Sequence, residues 1–408
     1  MAYTGINLEN VKANNRSAIL KLLNEQGTMS RKDLAAALGL TPATVTLICS
    51  ELIASGILCE EGELKESKRV GRKKILVGIN YTCRYVLSIS IEAIDTRITI
   101  SDLKGEHRST RTLKTDSQLP PEEFLRLVAF EGIILMQEAN VSREMILGVG
   151  VSLPGTVDRQ TGLSKLAYRI WDHPVNVYDC LRHYFDSPII VENNVKAFAE
   201  AELIYGSGKK NENLLFLKWG PGVGSALVIH NQIYESRISK EGELGHITVE
   251  KGGKLCRCGR RGCLETKASI HSIAEQVSAN CSPQTMPHLY ERIAGDLSQI
   301  RARNIDWWFQ PEDPGLWTVM DDIIEQTANI TAHSITLLAP DAVILYGQVF
   351  QLPQVKDHFL NFCKQYDPAY NDSYIYMSQL SDRIDYIGPL AVIVNKLFFS
   401  TGGMLAQN

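Results

Sequence analysis

GELGHITVEKGGKLCRCGRRGCLET, residues 242–266, places three of the chain's nine cysteines within eight positions. Cys256, Cys258 and Cys263 are separated by glycines that let the backbone turn tightly enough for three sulfurs to converge. Three thiolates and one imidazole make a closed tetrahedral set, which is typical of structural rather than catalytic zinc. His246 lies ten residues before the first cysteine and is the natural fourth ligand. The spacing therefore predicts a structural Zn²⁺ held by His246, Cys256, Cys258 and Cys263.

Composition indicates an ordinary globular protein of two or three domains. The chain has 408 residues, of which 44% are hydrophobic and 22% are charged. The N-terminal residues lack the apolar core of a signal peptide, and no apolar run approaches the roughly 18 residues that a membrane span needs. We therefore expect a cytoplasmic protein without membrane insertion. Thiols stay reduced in that compartment, so a tight cysteine cluster favours metal binding over disulfides.

Charge is distributed unevenly along the chain. Residues 1–80 contain 11 Lys and Arg against 8 Asp and Glu, whereas the remaining residues contain 31 against 38. The N-terminal segment therefore carries a net charge of +3 and the rest carries −7. A surplus of three charges does not by itself indicate a nucleic-acid partner.

Three helices are predicted in the N-terminal segment, over residues 10–25, over residues 31–38 and from Pro42 to Gly56. Ser30 and Thr41 are suited to cap the second and third helices, and glycines follow all three. Two short helices joined by a glycine-containing turn match a helix-turn-helix. Its predicted core is Leu34, Ala35, Leu38, Leu40, Val45, Ile48 and Leu52. The alternative is a helical bundle with a polar face.

The outward face of the third helix presents small, hydroxylated and apolar side chains. Such side chains suit a helix in the major groove, where Thr and Ala can contact thymine methyl groups and base edges. The predicted DNA contacts in this region are Arg31, Thr41, Ala43, Thr44, Thr46, Leu47 and Ser50.

A basic hairpin is predicted directly after the third helix. The segment ILCEEGELKESKRVGRKKILVGIN, residues 57–80, reads as two strands around a polar tip. Arg69, Arg72 and Lys73 lie in that tip, where they would contact phosphates or a minor groove. Residues 1–80 are therefore predicted to form a winged helix-turn-helix DNA-binding domain. The alternative for the tip is a solvated run of charge.

The remainder, residues 81–408, contains two similar patterns of strands. Residues 85–113 and 214–235 each read as a strand, a turn, a second strand, a turn and a third strand. Residues 148–158 and 341–349 supply a further apolar strand after each pattern. We predict a duplicated α/β domain. A cleft between two such halves is a common place for a ligand.

The opening stretch resembles the signature of the ROK family (repressors, open reading frames and kinases). That signature is Gly-Glu-X-Gly-His followed by Cys-X-Cys-Gly-X-X-Gly-Cys-X-Glu, and every element of it is present. The resemblance extends from about residue 80 to the C-terminus. The N-terminal segment is similar to that of the family's repressors, which include xylose-, glucose- and N-acetylglucosamine-responsive regulators. The resemblance implies a winged helix followed by the duplicated, actin-like (ribonuclease H-like) sugar-kinase fold.

The chain departs from the family's kinases at the residues that phosphoryl transfer needs. The kinases take the sugar proton with the Asp of a Glu-Asn-Asp motif, whereas this chain reads VENN and has Asn194 there. Their first phosphate loop is Asp-X-Gly-Gly-Thr, and the matching segment SIEAIDTRI contains no glycine. The second loop, WGPGVGS, keeps its glycines, but the adenosine-side Gly-Gly is Gly347-Gln348. We expect no catalytic residue and no enzymatic activity.

The residues that match the family's sugar-binding positions are largely retained in this chain. By position in the family's motifs, the residues that match its sugar contacts are Asn193, Asn194, Glu243, His246 and Glu265. The resemblance therefore implies a sugar effector. The alternative for Glu243 and Glu265 is that they only support the zinc loop.

These features predict a sugar-responsive transcriptional repressor that binds operator DNA as a homodimer or as a dimer of dimers. Helices near residues 318–337 and 386–399 are candidates for the dimer interface or for ordinary core. Three other interpretations stay open. The chain could be an active, ATP-dependent sugar kinase, a regulator controlled by a protein partner such as a sugar-transport component, or an activator.

Overall fold

The computed structural model of the protein describes residues 8–64, 74–236 and 241–404. The chain divides into two compact units, of which the second is residues 206–382 and the first is the rest of the chain. Within the described ranges, no helix combines the length and the apolar character needed to cross a membrane.

Three helices and a small sheet form the N-terminal part of the first unit. They are α1 (Leu8–Gln26), β1 (Met29–Ser30), α2 (Arg31–Leu38), α3 (Pro42–Ala54), β2 (Leu58–Leu64) and β3 (Lys74–Ile79). The strands pair antiparallel in the order β1-β3-β2. This is a winged helix-turn-helix, with β2 and β3 as the two strands of the wing. The boundary between residues 80 and 81 stays a prediction, because this part and the strands that follow it lie in one compact unit.

Capping residues set the ends of α2 and α3. The hydroxyl of Ser30 accepts a backbone N–H in the first turn of α2, and Gly39 ends that helix with a φ of 64°. The hydroxyl of Thr41 accepts a backbone N–H of α3, and Pro42 occupies the first helical position, where no N–H is needed. The predicted core residues Leu34, Ala35, Val45, Ile48 and Leu52 are buried, whereas Leu38 and Leu40 are half-buried.

The first α/β lobe completes the first unit. Its elements are β4 (Tyr85–Ile91), β5 (Asp95–Asp102), β6 (His107–Lys114), α4 (Pro121–Glu138), β7 (Ile146–Leu153), β8 (Thr156–Asp158), β9 (Leu163–Leu166), β10 (Val175–Asn176), α5 (Val177–Leu181), β11 (Ile189–Asn193) and α6 (Asn194–Ile204). Five strands form one sheet in the order β11-β7-β4-β5-β6. β4, β5 and β6 are an antiparallel meander, and β7 and β11 add in parallel.

The second unit repeats this sheet. Its elements are β12 (Leu214–Trp219), β13 (Val223–Ile229), β14 (Gln232–Ile233), α7 (Glu265–Ala268), α8 (Ile270–Asn280), α9 (Pro287–Arg292), α10 (Ile305–Trp308), α11 (Pro314–Leu338), β15 (Ala342–Tyr346), α12 (Pro353–Tyr366) and β16 (Ile375–Met377). The strand order is β14-β13-β12-β15-β16, with an antiparallel meander followed by two parallel strands. The duplication predicted from the two meanders is therefore present.

The C-terminal segment returns to the first unit. It contains α13 (Ile387–Ile393) and a π-helical turn, Val394–Phe399. Every residue from Ile387 to Val394 is buried, and a Cβ added to Gly150 of β7 would lie 2.1 Å from the carbonyl oxygen of Pro389. Residues 387–394 are therefore core of the first unit, which was one of the two predicted roles of residues 386–399. Lys396 is exposed and Asn395 and Leu397 are half-buried, so a dimer surface at these residues stays a prediction.

Candidate functional site

The predicted zinc ligands come together in the second unit. One ligand atom from each of His246, Cys256, Cys258 and Cys263 lies within 4.8 Å of all the others. The His246 Nδ1 to Cys256 Sγ distance is 3.5 Å, and the Cys258 Sγ to Cys263 Sγ distance is 3.7 Å. A tetrahedral zinc with ordinary bond lengths separates its sulfur ligands by about 3.8 Å and a sulfur from a nitrogen by about 3.6 Å. The four residues therefore fit a zinc ion in both chemistry and spacing.

The backbone of the cysteine loop is held by contacts that only glycine permits. Gly262 has a φ of +69°, and a Cβ there would lie 1.7 Å from the carbonyl oxygen of Glu250. The Gly262 carbonyl accepts the N–H of Val249 at 2.8 Å, and Thr248 forms a β-bridge with Cys263. The extended segment after His246 and the loop of cysteines are thereby joined. This contact brings the histidine to the thiols.

Burial sets the protonation of the ligand side chains when no cation is present. It lowers the pKa of His246, with a further contribution from Arg260, and so favours the neutral imidazole that binds metals. Burial raises the pKa of Cys256 to about 12. Burial also works against the Cys258 thiolate, but hydrogen bonds from Arg260 and from the neighbouring thiols together lower the pKa of Cys258. A bound divalent cation would stabilise the thiolate form of all three cysteines, so thiols that are still protonated would release their protons on binding.

Two acidic residues, Glu243 and Glu265, lie near the zinc ligands in sequence, and each is bonded to a group of the second unit. The Glu243 carboxylate lies 3.5 Å from the Arg260 guanidinium, at the tip of the cysteine loop. Glu265, the first residue of α7, accepts the backbone N–H of Val223 at 2.6 Å. A Cβ on Gly222 would lie 2.7 Å from a Glu265 carboxylate oxygen. A side chain at this position of the WGPGVGS loop would therefore displace the Glu265 carboxylate.

Gln348 occupies the second position of the family's adenosine-side Gly-Gly pair. Its side-chain amide donates a hydrogen bond to Asp306 at 3.2 Å. The position therefore carries a polar side chain with a partner in the second unit. This observation adds to the departures from the nucleotide motifs that the sequence shows.

In the first unit, Asn193 fixes the start of α6. Its side-chain carbonyl caps the helix by accepting the N–H groups of Val195 at 2.9 Å and Lys196 at 3.1 Å, and its amide donates to the carbonyl of Gly155 at 2.7 Å. Much of the hydrogen-bonding capacity of this side chain is thus used inside the protein. The predicted sugar contacts divide between the units, with Asn193 and Asn194 in the first and Glu243, His246 and Glu265 in the second.

Asn194 is bonded to a residue that sequence analysis did not single out. Its side-chain amide donates to the Glu92 carboxylate at 2.7 Å. Glu92 lies in the glycine-free segment SIEAIDTRI, residues 90–98, which stands where kinases have the first phosphate loop. Asn194, at the position that matches the family's catalytic base, therefore holds a side chain of the segment that lacks the phosphate-loop glycines. The lack of glycine in this segment was visible in the sequence, but the pairing of Glu92 with Asn194 was not.

A second missed group is the buried carboxylate of Glu192, directly before Asn193. It accepts the N–H of Asn193 at 2.7 Å, and Arg159 lies 3.4 Å away. Burial raises the pKa of Glu192 to about 7, against the opposing effect of Arg159. A charged residue directly after the apolar residues 189–191 of β11 is the sequence signal that could have found it.

The predicted DNA contacts lie on the outward side of the helix-turn-helix. Ala43, Thr46, Leu47 and Ser50 are exposed along α3, Thr41 is exposed at its cap, and Thr44 is half-buried. Arg31 is tied to the wing strand, because its guanidinium bonds to Glu60 at 2.9 Å. Arg69, Arg72 and Lys73 lie outside the described residues.

Comparisons with known proteins identify both parts of the chain. Residues 86–392 match the model of the ROK family, and residues 14–58 match a winged helix-turn-helix DNA-binding model. A putative xylose repressor from Caldicellulosiruptor sp. (strain Rt8B.4) is 24% identical over 95% of this chain and 97% of its own length. The Thermotoga maritima glucokinase is 27% identical over 51% of this chain and 65% of its own length.

Among solved structures, the chain is similar to a ROK family transcriptional regulator that is a homologue of the Escherichia coli Mlc protein. The TM-score is 0.77 at 23% identity, over 96% of this chain and 98% of the other. At this identity the similarity shows a common fold. The predicted fold class, a winged helix-turn-helix followed by the actin-like sugar-kinase fold, is confirmed.

Replacing Cys258 by serine tests the metal centre. Serine is a poor zinc ligand, so we expect the zinc content of the purified variant to fall by about tenfold or more and its melting temperature to fall by about 5 °C or more. Elemental analysis and calorimetry measure the two effects. Cys180→Ser is the control, because this half-buried thiol lies outside the cluster. Wild-type zinc content in Cys258→Ser would contradict the ligand assignment.

Proposed function

The chain belongs to the ROK family, whose model matches residues 86–392, and we propose that it is a sugar-responsive transcriptional repressor of carbohydrate uptake or metabolism genes. One observation carries this proposal. The same compact unit contains a winged helix-turn-helix and a kinase-type lobe in which Asn194 stands in place of the catalytic base and bonds to Glu92. A sugar bound at such a lobe would be sensed without being phosphorylated.

The contact between Asn194 and Glu92 argues against catalysis on two grounds. An amide does not accept the proton of a sugar hydroxyl, so no base stands at the position where the kinases have one. The Glu92 carboxylate adds negative charge where the kinases place the phosphates of ATP, and like charges repel. Relatives in the family include both repressors and a glucokinase. The two changes favour the repressor.

The proposed sugar contacts are Asn193, Asn194, Glu243, His246 and Glu265. Amides and carboxylates suit this role because each can bond to adjacent hydroxyl groups. His246 turns Nδ1 to the thiols, at 3.5 Å from Cys256 Sγ. Zinc bound at Nδ1 would therefore leave Nε2 as the nitrogen for a sugar hydroxyl. The proposed zinc is structural and supplies only the fixed geometry of the loop that carries Glu243 and His246.

A continuous set of contacts in the first unit links the proposed sugar residues to the DNA-binding part. Asn193 and Asn194 begin α6, and at its other end the carbonyl of Ile204 accepts the side-chain amide of Asn24 at 3.0 Å. Asn24 belongs to α1, and its side-chain carbonyl accepts the Tyr81 hydroxyl at 3.2 Å. We infer that a shift of α6 on sugar binding changes the position of α1. Affinity for DNA would then change with the occupancy of the sugar site.

The C-terminal segment supports the same connection. The Asn395 side chain donates to the Glu200 carboxylate of α6 at 2.8 Å. Further on, Gly402 lies so close to α1 that an added Cβ would come within 2.6 Å of the Arg16 Cβ. α6 and the C-terminal segment therefore contact each other, and each also contacts α1. Because the three are packed together, moving one of them without the others would cost contacts.

Operator binding as a homodimer or as a dimer of dimers is part of this proposal, since paired helix-turn-helix units read two half-sites. Residues 387–394 are buried in the first unit, so a dimer surface in the C-terminal segment would use the exposed face around Lys396. Control by a sugar-transport protein is an alternative route for the signal. It predicts DNA binding that no free sugar alters.

Binding of the purified protein to DNA from its own upstream region, across a salt series, tests the function. We expect specific, salt-sensitive binding that one sugar from a panel of pentoses, hexoses and N-acetylated hexosamines weakens at least tenfold. Specific binding that no sugar in the panel weakens would overturn the sugar-responsive part. Absence of specific binding to any region would overturn the regulator.

Restoring aspartate at the base position tests the loss of catalysis. Asn194→Asp should not phosphorylate any sugar in the panel, because Glu92 still occupies the phosphate-loop position and now faces a second carboxylate. ADP release in a coupled assay measures turnover, with Asn194→Ala as the background control. ATP-dependent turnover above that of Asn194→Ala would show that the substitution at residue 194 was the sole barrier.

Asn24→Ala tests the connection through α6. The variant loses the bonds to Ile204 and Tyr81, so we expect the sugar to weaken its operator binding about fivefold less than it weakens binding by the wild type. Sugar affinity should stay within about twofold of wild type. The control is Asn280→Ala, which removes an exposed amide of the second unit. An unchanged sugar effect in Asn24→Ala would exclude this path.

A further inference from the structure

The recognition face of α3 is centred on an exposed leucine. Leu47 is 58% exposed, although Val45, Ile48, Cys49 and Leu52 of the same helix are buried. The burial of that opposite side fixes which way the helix faces. Ala43 and Ser50 lie four and three positions from Leu47, and Thr46 lies three and four positions from Ala43 and Ser50. All four are exposed, so their side chains form one patch.

The threonine hydroxyl groups near Leu47 are engaged within the helix and its cap. The Thr46 hydroxyl donates to the carbonyl of Pro42 at 2.7 Å. The hydroxyls of Thr41 and Thr44 bond to each other at 2.8 Å, and Thr41 also accepts the Thr44 N–H. Thr46 therefore presents to DNA a methyl group and a hydroxyl oxygen that can accept a hydrogen bond but has already donated its own.

Long side chains that could donate two hydrogen bonds to guanine are missing from this helix. Residues 42–54 contain no Arg, Lys, Asn or Gln, and the nearby Arg31 is bonded to Glu60. Guanine offers two acceptors, O6 and N7, in the major groove and needs a donor to be read. Thymine instead offers a C5-methyl group, which an apolar side chain can cover. Adenine offers a donor, which the Thr46 oxygen can accept.

We propose that Leu47 is a specificity-determining residue that covers the methyl group of a thymine, so that each operator half-site places an A·T pair under the centre of α3. The inference rests on the proposed function, because it requires α3 to enter the major groove. Ala43 and the Thr46 methyl widen the apolar surface around Leu47. Guanine under Leu47 is disfavoured because its acceptors would lose water without gaining a donor.

The methyl group can be removed without changing base pairing, which gives a direct test. Full-length protein is first used to select duplexes from a random-sequence library. Each thymine of the selected duplex is then replaced singly by deoxyuridine, which lacks the C5-methyl group. We expect one thymine per half-site at which this replacement lowers wild-type affinity about fourfold, the value of burying one methyl group. Leu47→Ala should be insensitive to the same replacement.

Two further variants sharpen the test. Leu337→Ala removes a leucine of the second unit that is 83% exposed, and it should respond to deoxyuridine as the wild type does. Leu47→Arg supplies a donor at the same position and should shift the selected base pair towards guanine. Circular dichroism of each variant checks that the fold is retained.

The outcomes separate this inference from the proposed function. Failure to enrich any sequence would overturn the DNA-binding function itself. Enriched duplexes whose affinity for the wild type is unaffected by every deoxyuridine replacement would overturn the role of Leu47 alone. The same would follow if Leu47→Ala and the wild type lost affinity equally at each thymine.

Discussion

The cap of α6 by Asn193 is the interaction on which the proposed response depends. This side chain accepts two N–H groups of the first turn and donates to the Gly155 carbonyl, so the helix begins at a fixed place beside β7. Asn194 at that end and Ile204 at the other end belong to one rigid helix. Whatever moves the start of α6 therefore also moves the carbonyl that Asn24 holds. A sensor and a DNA-binding element can be coupled by a single short helix because a helix transmits displacement along its axis with little compression.

The same helix start explains how a kinase-type lobe can lose catalysis and keep ligand binding. Replacing a base by an amide removes a proton acceptor but retains a group that bonds to hydroxyls. The bond between Asn194 and Glu92 makes that change consistent with the change in the phosphate loop. An aspartate at residue 194 would face the Glu92 carboxylate at close range, which is costly unless one of them is protonated. The Asn194 amide, which can donate a hydrogen bond, is therefore compatible with the Glu92 carboxylate, which can accept it.

Sequence alone predicted the features that local rules determine. The caps at Ser30 and Thr41 and the glycine after α2 gave the bounds of the recognition helices. The cysteine spacing predicted the group that the structure brings together with His246. The two meanders predicted the duplication, because strand alternation and glycine turns are local signals. In each case the determining residues lie within a few positions of one another.

The contacts that carry the mechanism could not be predicted in this way. Asn194 and Glu92 are 102 positions apart, and Asn24 and Ile204 are 180 positions apart. Pairing over such distances depends on how sheets and helices pack. The segment from Ile387 to Val394 illustrates the same limit, since an apolar helix pattern suits a dimer surface as well as a core, and the structure buries it.

Reciprocity between the two ligands gives the most direct test of this account. The affinity of the protein for the sugar that releases DNA is measured by calorimetry, without DNA and with saturating operator duplex. If both sites act through one conformational equilibrium, operator must weaken sugar binding by the same factor by which sugar weakens operator binding. We expect the two factors to agree within about twofold. Equal sugar affinity with and without operator would contradict the coupling of the sugar site to the DNA-binding part.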